Sequence, residues 1–339
     1  VSMEGIENLR DSLLSLNINR KSNYINKNFR LQIDRVFNKT GYGMIITGTV
    51  ISGELFPGVA VSVQPSNAMG KVRGLQSHGI SVEKITSGDR AAVNLIGVEK
   101  KNIWRGAELV TPKSIYPSKR VIVSISLMQH TKWKLKNQQR IRIHLGTSDT
   151  LAKVIYIPKT IVKGNSSNAI IEFEKKISIA IDDKFIVRSY SPMETIGGGK
   201  ILDKDPKGNW KRLKMDCHIL SKSLKDRFLQ LISQTENAPN SVSFWAEKLS
   251  KSDKEIFELI KINNLKNKNG MIFSNEMLKN IKNMIINYLT TFHKSHLYRQ
   301  SVNSESVRIE LGLNRNWFDY ILTNFDREEI IVKKGKLAL

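Results

Sequence analysis

Residues 195–203 read Thr195-Ile196-Gly197-Gly198-Gly199-Lys200-Ile201-Leu202-Asp203, and residues 29–58 read FRLQIDRVFNKTGYGMIITGTVISGELFPG. In the longer stretch Phe29, Leu31 and Ile33 alternate with Arg30, Gln32 and Asp34, the period of two that belongs to a half-buried strand. Gly41, Gly43, Gly48, Gly53 and Gly58 follow, and glycine in strand-rich sequence marks turns, bulges and bends. Pro57-Gly58 is a turn pair before Val59–Val63, and Ser87-Gly88-Asp89 another before Ala91–Ile96. Short strands at this spacing predict a small closed barrel. After Pro112–Pro117 a second array begins, with strands near Val121–Leu127, Arg140–Leu145, Ala152–Ile157, Ala169–Phe173 and Phe185–Ser189. The triple glycine closes it. Lys-Ile-Leu follows those glycines where a dinucleotide site would need a helix, so they read as a sharp turn that lets two barrel backbones approach.

On the N-terminal side, residues 3–16 carry Ile6, Leu9, Leu13 and Leu16 at spacings of three and four, which predicts an amphipathic helix. A basic, Asn-rich linker, residues 19–28, joins it to the barrels. On the C-terminal side, residues 206–214 read as a polar, basic connector, after which the period becomes helical: Leu220, Leu224, Phe228 and Leu231 form one stripe. Two shorter helices, 244–249 and 254–262, lead to a hairpin tip at residues 266–270. The order then recurs, with helices over 278–292, 305–311 and 317–325 and a hairpin around Lys334-Gly335. This repeat predicts two winged-helix units.

The 339 residues carry 54 Lys+Arg against 31 Asp+Glu, a net charge of +23, and residues 207–339 alone hold 23 of the bases against 14 acids. A positive field spread over the whole chain attracts polyanions; RNA, DNA and acidic membrane all satisfy it, as does a lysine-rich surface with no partner. Cys217 is the single cysteine, which excludes an internal disulfide and fits a reducing, cytoplasmic setting. No apolar run reaches the roughly 20 residues that span a bilayer, and VSMEGIENLR has no signal-peptide core.

No G-x-x-x-x-G-K-[ST] phosphate loop and no Asn-Lys-x-Asp occur, so this chain is not expected to hydrolyse a nucleoside triphosphate by itself. Cys217-His218 and His293-Lys294-Ser295-His296 are isolated pairs, short of the four ligands of a structural zinc. No catalytic residue, bound cofactor or metal is assigned. Asp34-Arg35 and Arg105 stand out in the first array: Arg35 is in phase with the apolar Phe29, Leu31 and Ile33, Asp34 points the other way, and Arg105 lies in a turn. Each also fits an ordinary salt bridge.

The stretches Phe29–Gly58 and Thr195–Asp203 resemble the second and third domains of the selenocysteine-specific elongation factors, the bacterial SelB family related to elongation factor Tu. The tail carries Leu311-Gly312-Leu313-Asn314-Arg315 and then Phe325-Asp326-Arg327, similar to that family's final winged helix. The resemblance implies a mainly β region followed by α+β: residues 1–26 as the last helix of a G domain plus linker, β-barrels over 27–113 and 117–205, and winged helices over 215–275 and 276–339. Val1-Ser2 would be a remnant of that G domain's last loop, and the chain a fragment or split form of the factor. Bacterial members commonly have four winged helices, whereas two fit here.

The family implies GTP and Mg²⁺ in its complete members, and as partners a selenocysteinyl-tRNA, the selenocysteine-insertion hairpin of an mRNA and the ribosome, with a monomer and no membrane. By the same resemblance, Asp34, Arg35, Arg105 and, more weakly, His78 would form the pocket for the esterified selenocysteine. A selenol is an anion at neutral pH and calls for fixed positive charge in a partly dry site. Lys132, Lys134, Lys136, Arg140 and Arg142 on the second barrel would contact tRNA phosphates; a plain solvated face is the competing reading. Arg315, Asn316, Lys333, Lys334 and Lys336 would bind the mRNA hairpin. The rival functions are the barrels of another translational GTPase, a winged-helix DNA-binding regulator, and a scaffold without a nucleic-acid role.

Overall fold

A computed structural model describes residues 4–15, 28–39, 43–326, 329–333 and 335–339. Val1-Ser2, Leu16, linker residues 19–27, Gly41, Arg327 and Lys334 lie outside the described residues. Helix α1 (Ile6–Ser15) follows the amphipathic stripe, and none of its residues is buried.

The first barrel uses β1 (Arg30–Lys39), β2 (Gly43–Ser52), β3 (Glu54–Leu55), β4 (Ala60–Gln64), β5 (Ala68–Ser77), β6 (Ile80–Val82), β7 (Ile85–Thr86), β8 (Arg90–Ile96) and β9 (Glu108–Val110). Six of them, in the order β4-β9-β1-β2-β8-β5, close into a ring through β5 pairing with β4; β6 extends from β5, and β3 pairs with β7. Its core is the inward half of each alternation: Leu31, Ile33, Ile46, Val50, Val63, Val93, Leu95 and Leu109. Each such side chain gains roughly 1.5–3 kcal/mol by leaving water.

The second barrel closes as β10 (Ser118–Leu127), β13 (Ser166–Ile177), β12 (Ser148–Tyr156), β11 (Arg140–Leu145), β14 (Lys184–Ser189) and β15 (Thr195–Lys204), with every pairing antiparallel. The triple glycine is not a turn. Gly197, Gly198 and Gly199 sit inside β15, paired with Leu127, Ser126 and Ile125. The expected close approach is real all the same: a Cβ on Gly197 would lie 2.2 Å from the Ser126 carbonyl oxygen, and one on Gly199 2.1 Å from that of Ser124. The glycines therefore let β15 press onto β10, where any side chain would collide with backbone.

The barrels meet at a buried ion cluster. Arg30 grips Asp183 with both terminal nitrogens at 2.8 Å and Glu108 with one of them at 2.8 Å. Ser178 donates to the other oxygen of Glu108. The two carboxylates outweigh the cost of burial, and the Arg30 guanidinium is held well above its ordinary pKa.

The residues read as a connector form a helix, α2 (Trp210–Ile219), because Asn209 caps it by accepting from the Arg212 N–H at 2.9 Å, and Leu213 and Cys217 supply a buried face. The stripe expected to run from Leu220 is thereby split. Leu220 ends α2, and α3 (Leu224–Ser233) starts afresh. α4 (Val242–Leu249), α5 (Asp253–Ile262) and the hairpin β16 (Lys266–Lys268)–β17 (Met271–Phe273) complete the first helical unit. The second unit is α6 (Asn275–Ser295), β18 (Val302–Asn303), α7 (Ser304–Glu310), α8 (Arg315–Leu322), β19 (Ile331–Lys333) and β20 (Lys336–Ala338), with β20 between β18 and β19. Helix, helix, helix, hairpin is the order of a winged helix.

The first unit is keyed to the second barrel. Arg227, fully buried, donates to Asp182 at 2.8 Å and to the Ser221 carbonyl at 3.0 Å. Lys248 lies 3.2 Å from Asp203, whose burial raises its pKa. Lys204 donates to Ser250 at 2.8 Å, and burial lowers its pKa to about 8. The second unit leans on the first: the Trp317 indole N–H donates to the Glu236 carbonyl at 2.9 Å, and the Trp317 ring lies 4.6 Å from that of Phe273.

Candidate functional site

The first barrel carries a charged cluster on its outer face. Register in β1 shifts between Ile33, opposite Gly48, and Arg35, opposite Thr47, so Asp34 is the extra residue of a β-bulge. The bulge overturns the expected phase of Arg35. Inward positions resume at the partly buried Val36, and Arg35 stands exposed on the outside with Asp34 half-buried beside it. Asp34 accepts from the Thr47 hydroxyl at 2.7 Å and pairs with Arg90 of β8 at 2.8 Å. Register then leads from Thr47 to Ala92, one side of an open cleft of about 300 Å³ lined also by Ile45, Gly74, Gln76 and Asn94.

The other expected pocket residues are placed differently. His78 is exposed at the β5–β6 turn in the left-handed region, φ 51°, with no bond to Asp34 among the described residues. Arg105 is exposed in the turn next to Gly106. That glycine donates to the Ile33 carbonyl at 3.0 Å, and a Cβ on it would lie 3.1 Å from Ser148 of the second barrel. Arg105 thus borders the barrel seam, close in chain path to the bulge but outside the Asp34–Arg90 pair. Arg90 was not identified from sequence. It opens its strand just after Ser87-Gly88-Asp89, and only the pairing of β2 with both β1 and β8 brings it to Asp34.

On the second barrel, Lys132, Lys134 and Lys136 surround a shallow groove of about 520 Å³ with Trp133, Asn137 and Gln138. Arg140 and Arg142 are less free. Arg140 pairs with Glu174 and lies 4.8 Å over the Tyr190 ring; Arg142 binds both oxygens of Asp149 at 3.0 Å. Arg142 also sits directly opposite Arg188 across β11–β14, a like-charge pairing that costs stability on a sheet face. Sequence periodicity gave no sign of Arg188 or Tyr190 as neighbours of this surface.

In the last unit Asn314 caps α8 by accepting from the Asn316 and Trp317 N–H groups at 3.0 and 3.4 Å. Arg315 is the first residue of that helix and Asn316 the second, both exposed. A cation at a helix N-terminus opposes the helix dipole, so Arg315 is not there for the helix's benefit. Lys333 and Lys336 are exposed and directly opposite each other in the β19–β20 hairpin, again like charges in register.

The comparisons with known proteins agree with this architecture. Residues 118–208 match the β-barrel domain of the selenocysteine-specific elongation factor family. Over 200 residues the chain is 34% identical to the selenocysteine-specific elongation factor of Desulfomicrobium baculatum, covering 59% of the chain and 32% of that protein. It is 30% identical over 209 residues to the Escherichia coli protein of the same name, covering 61% and 32%. The alignments thus span about a third of the length of these relatives. A crystal structure of a bacterial selenocysteine-specific elongation factor superposes on 98% of this chain and 53% of its own, with a TM-score of 0.73 and 23% identity, a likeness of fold.

Proposed function

We propose that the chain is a member of the selenocysteine-specific elongation factor family, whose β-barrel domain its residues 118–208 match, and that it holds selenocysteinyl-tRNA and an mRNA hairpin together for selenocysteine delivery on the ribosome. The observation that carries the reading is the charge cluster on the outer face of the first barrel. Thr47 braces Asp34, Asp34 pairs with Arg90, and Arg35 stands alongside. A planar guanidinium held by one carboxylate keeps donors to spare for a second anion. The selenolate of the esterified amino acid is such an anion, and the serine hydroxyl is not. In this reading Arg90 takes the place first given to Arg105, and the adjoining cleft receives the nucleotide end that carries the amino acid.

The tRNA backbone would follow Lys132, Lys134 and Lys136, with Arg188 and with Arg140 and Arg142, whose carboxylate partners limit their strength, as a second row. Arg315, Asn316, Lys333, Lys334 and Lys336 would meet the hairpin. The opposed Lys333 and Lys336 support this, since a phosphate between them relieves their repulsion.

GTP and Mg²⁺ do not fit the residues of this chain. It holds no phosphate loop, and no cluster of three or more His, Cys, Asp or Glu able to hold a metal ion occurs among the described residues. No step is therefore routed through them here. No helix among the described residues is long and apolar enough to cross a membrane.

The test is a binding competition between selenocysteinyl- and seryl-forms of one tRNA body. The chain should favour the selenocysteinyl form, and Arg90→Ala should remove the preference. Equal binding of both forms by the unaltered chain would sink the pocket assignment.

A further inference from the structure

The turn joining α6 to β18 exposes more apolar surface than packing would ask of it. Leu297 and Tyr298 leave 82% and 99% of their surface to solvent, more than any other large apolar side chain among the described residues. The turn is nonetheless fixed. The Arg299 N–H donates to the His296 carbonyl at 2.9 Å, and His293 Nδ1 contacts the Arg299 carbonyl at 3.0 Å. The His296 ring stacks on Phe292 with centroids 4.5 Å apart. A rigid turn that spends its hydrogen bonds on displaying two apolar side chains is built for contact.

Charge identifies the partner. Residues 293–304 contain no carboxylate, while Lys294 and Arg299 flank the exposed pair. Elsewhere in this unit Lys282 pairs with Glu329 and Arg308 with Glu305, whereas Lys294 and Arg299 enter no ion pair among the described residues. Exposed aromatic ring and unneutralised cations together suit an unpaired nucleotide, whose base stacks while its phosphates are held.

We propose that the Leu297-Tyr298 turn is a second RNA contact of this protein, in which Tyr298 stacks on an unpaired base and Lys294 and Arg299 hold the flanking phosphates. It uses none of the residues assigned to the hairpin above. From the turn the chain runs through the two-residue β18 to Ser304, whose N–H bonds to the Gly335 carbonyl at 2.9 Å. One RNA could engage both, or two segments could be held at once.

The experiment titrates fluorescent oligo(U) with the full chain near physiological salt, with heparin as a polyanion that has no bases. Tyr298→Ala should weaken oligo(U) binding about tenfold, the scale of one lost base stack. Tyr298→Phe should keep the affinity, and heparin should bind both variants like the unaltered chain. Full exposure of Tyr298 means that neither variant should change the melting temperature. The proposal is overturned if Tyr298→Ala binds oligo(U) normally, if it loses oligo(U) and heparin in equal measure, or if Arg315→Ala abolishes oligo(U) binding as fully, which would merge the two surfaces.

Discussion

Asp34 and Arg90 meet at 2.8 Å although β2 lies between their strands, and the Thr47 hydroxyl of that middle strand braces the carboxylate at 2.7 Å. The bulge at Asp34 brings Arg35 to the same outer face as that pair. Without it Asp34 and Arg35 would fall on opposite faces.

Arg90→Ala and Arg35→Ala should each weaken the selenocysteinyl form over the seryl form by roughly tenfold or more, the scale of a charge-assisted hydrogen bond in a partly dry site. Stability should hardly move, because Arg90 is 57% exposed and such pairs contribute less than about 1 kcal/mol. Competition binding and chemical denaturation on the same samples separate the two effects.

Arg30→Ala should act the opposite way, on stability first. It strands Glu108 and Asp183 at the barrel seam, and breaking a buried pair from one side costs about 3–5 kcal/mol. Urea unfolding should register that loss, and the triple replacement Arg30→Met, Glu108→Gln, Asp183→Asn should recover part of it. A loss below about 1 kcal/mol would mean that water reaches the seam.

Lys204 makes stability depend on alkali. Its pKa falls from 10.5 to about 8 because burial disfavours the ammonium, so the folded state binds fewer protons than the unfolded one between those values. Its contribution is therefore fully present above about pH 10.5 and lost as pH falls through about 8. Lys204→Met should remove this slope and raise stability at pH 7 by up to about 3 kcal/mol, as read from the difference between the two unfolding curves across pH.

Gly199→Ala tests the triple glycine. A Cβ there would lie 2.1 Å from the Ser124 carbonyl oxygen and 2.7 Å from the Phe185 ring, so β10 and β15 must separate. A loss of about 3 kcal/mol or more is expected, measured by thermal melting, whereas Gly74→Ala, with nothing within 4 Å, should cost far less.

Arg315→Ala and Lys336→Ala should weaken binding of the insertion hairpin and each lower the salt dependence of that binding by about one unit of slope. Affinities measured across a salt series decide this. An unchanged slope would remove both residues from the phosphate-facing set.

The barrels were legible in the sequence because alternation and glycine punctuation survive without knowledge of partners. Phe29, Leu31 and Ile33 point inward as their spacing says, and the later helices begin within a few residues of their expected starts. Register was not legible. A single extra residue at Asp34 reversed the face of Arg35, and no local pattern announces a bulge. Arg90 became a neighbour of Asp34 only through two successive strand pairings, a relation between residues 56 positions apart. The connector misled for a different reason. Its lysines and Asn209 look like loop chemistry until Asn209 is seen to cap a helix whose apolar side rests on the second barrel.

Arg227 and Lys248, gripping Asp182 and Asp203, rivet the helical arm to the second drum rather than letting it swing. In the proposed reading, with cargo on the first barrel and transcript on the last helical unit, the span between them would be set by the protein as by a pair of calipers. A stem shifted by a few nucleotides along the message would then arrive out of reach, and reading-frame placement would be enforced by fixed length rather than by affinity.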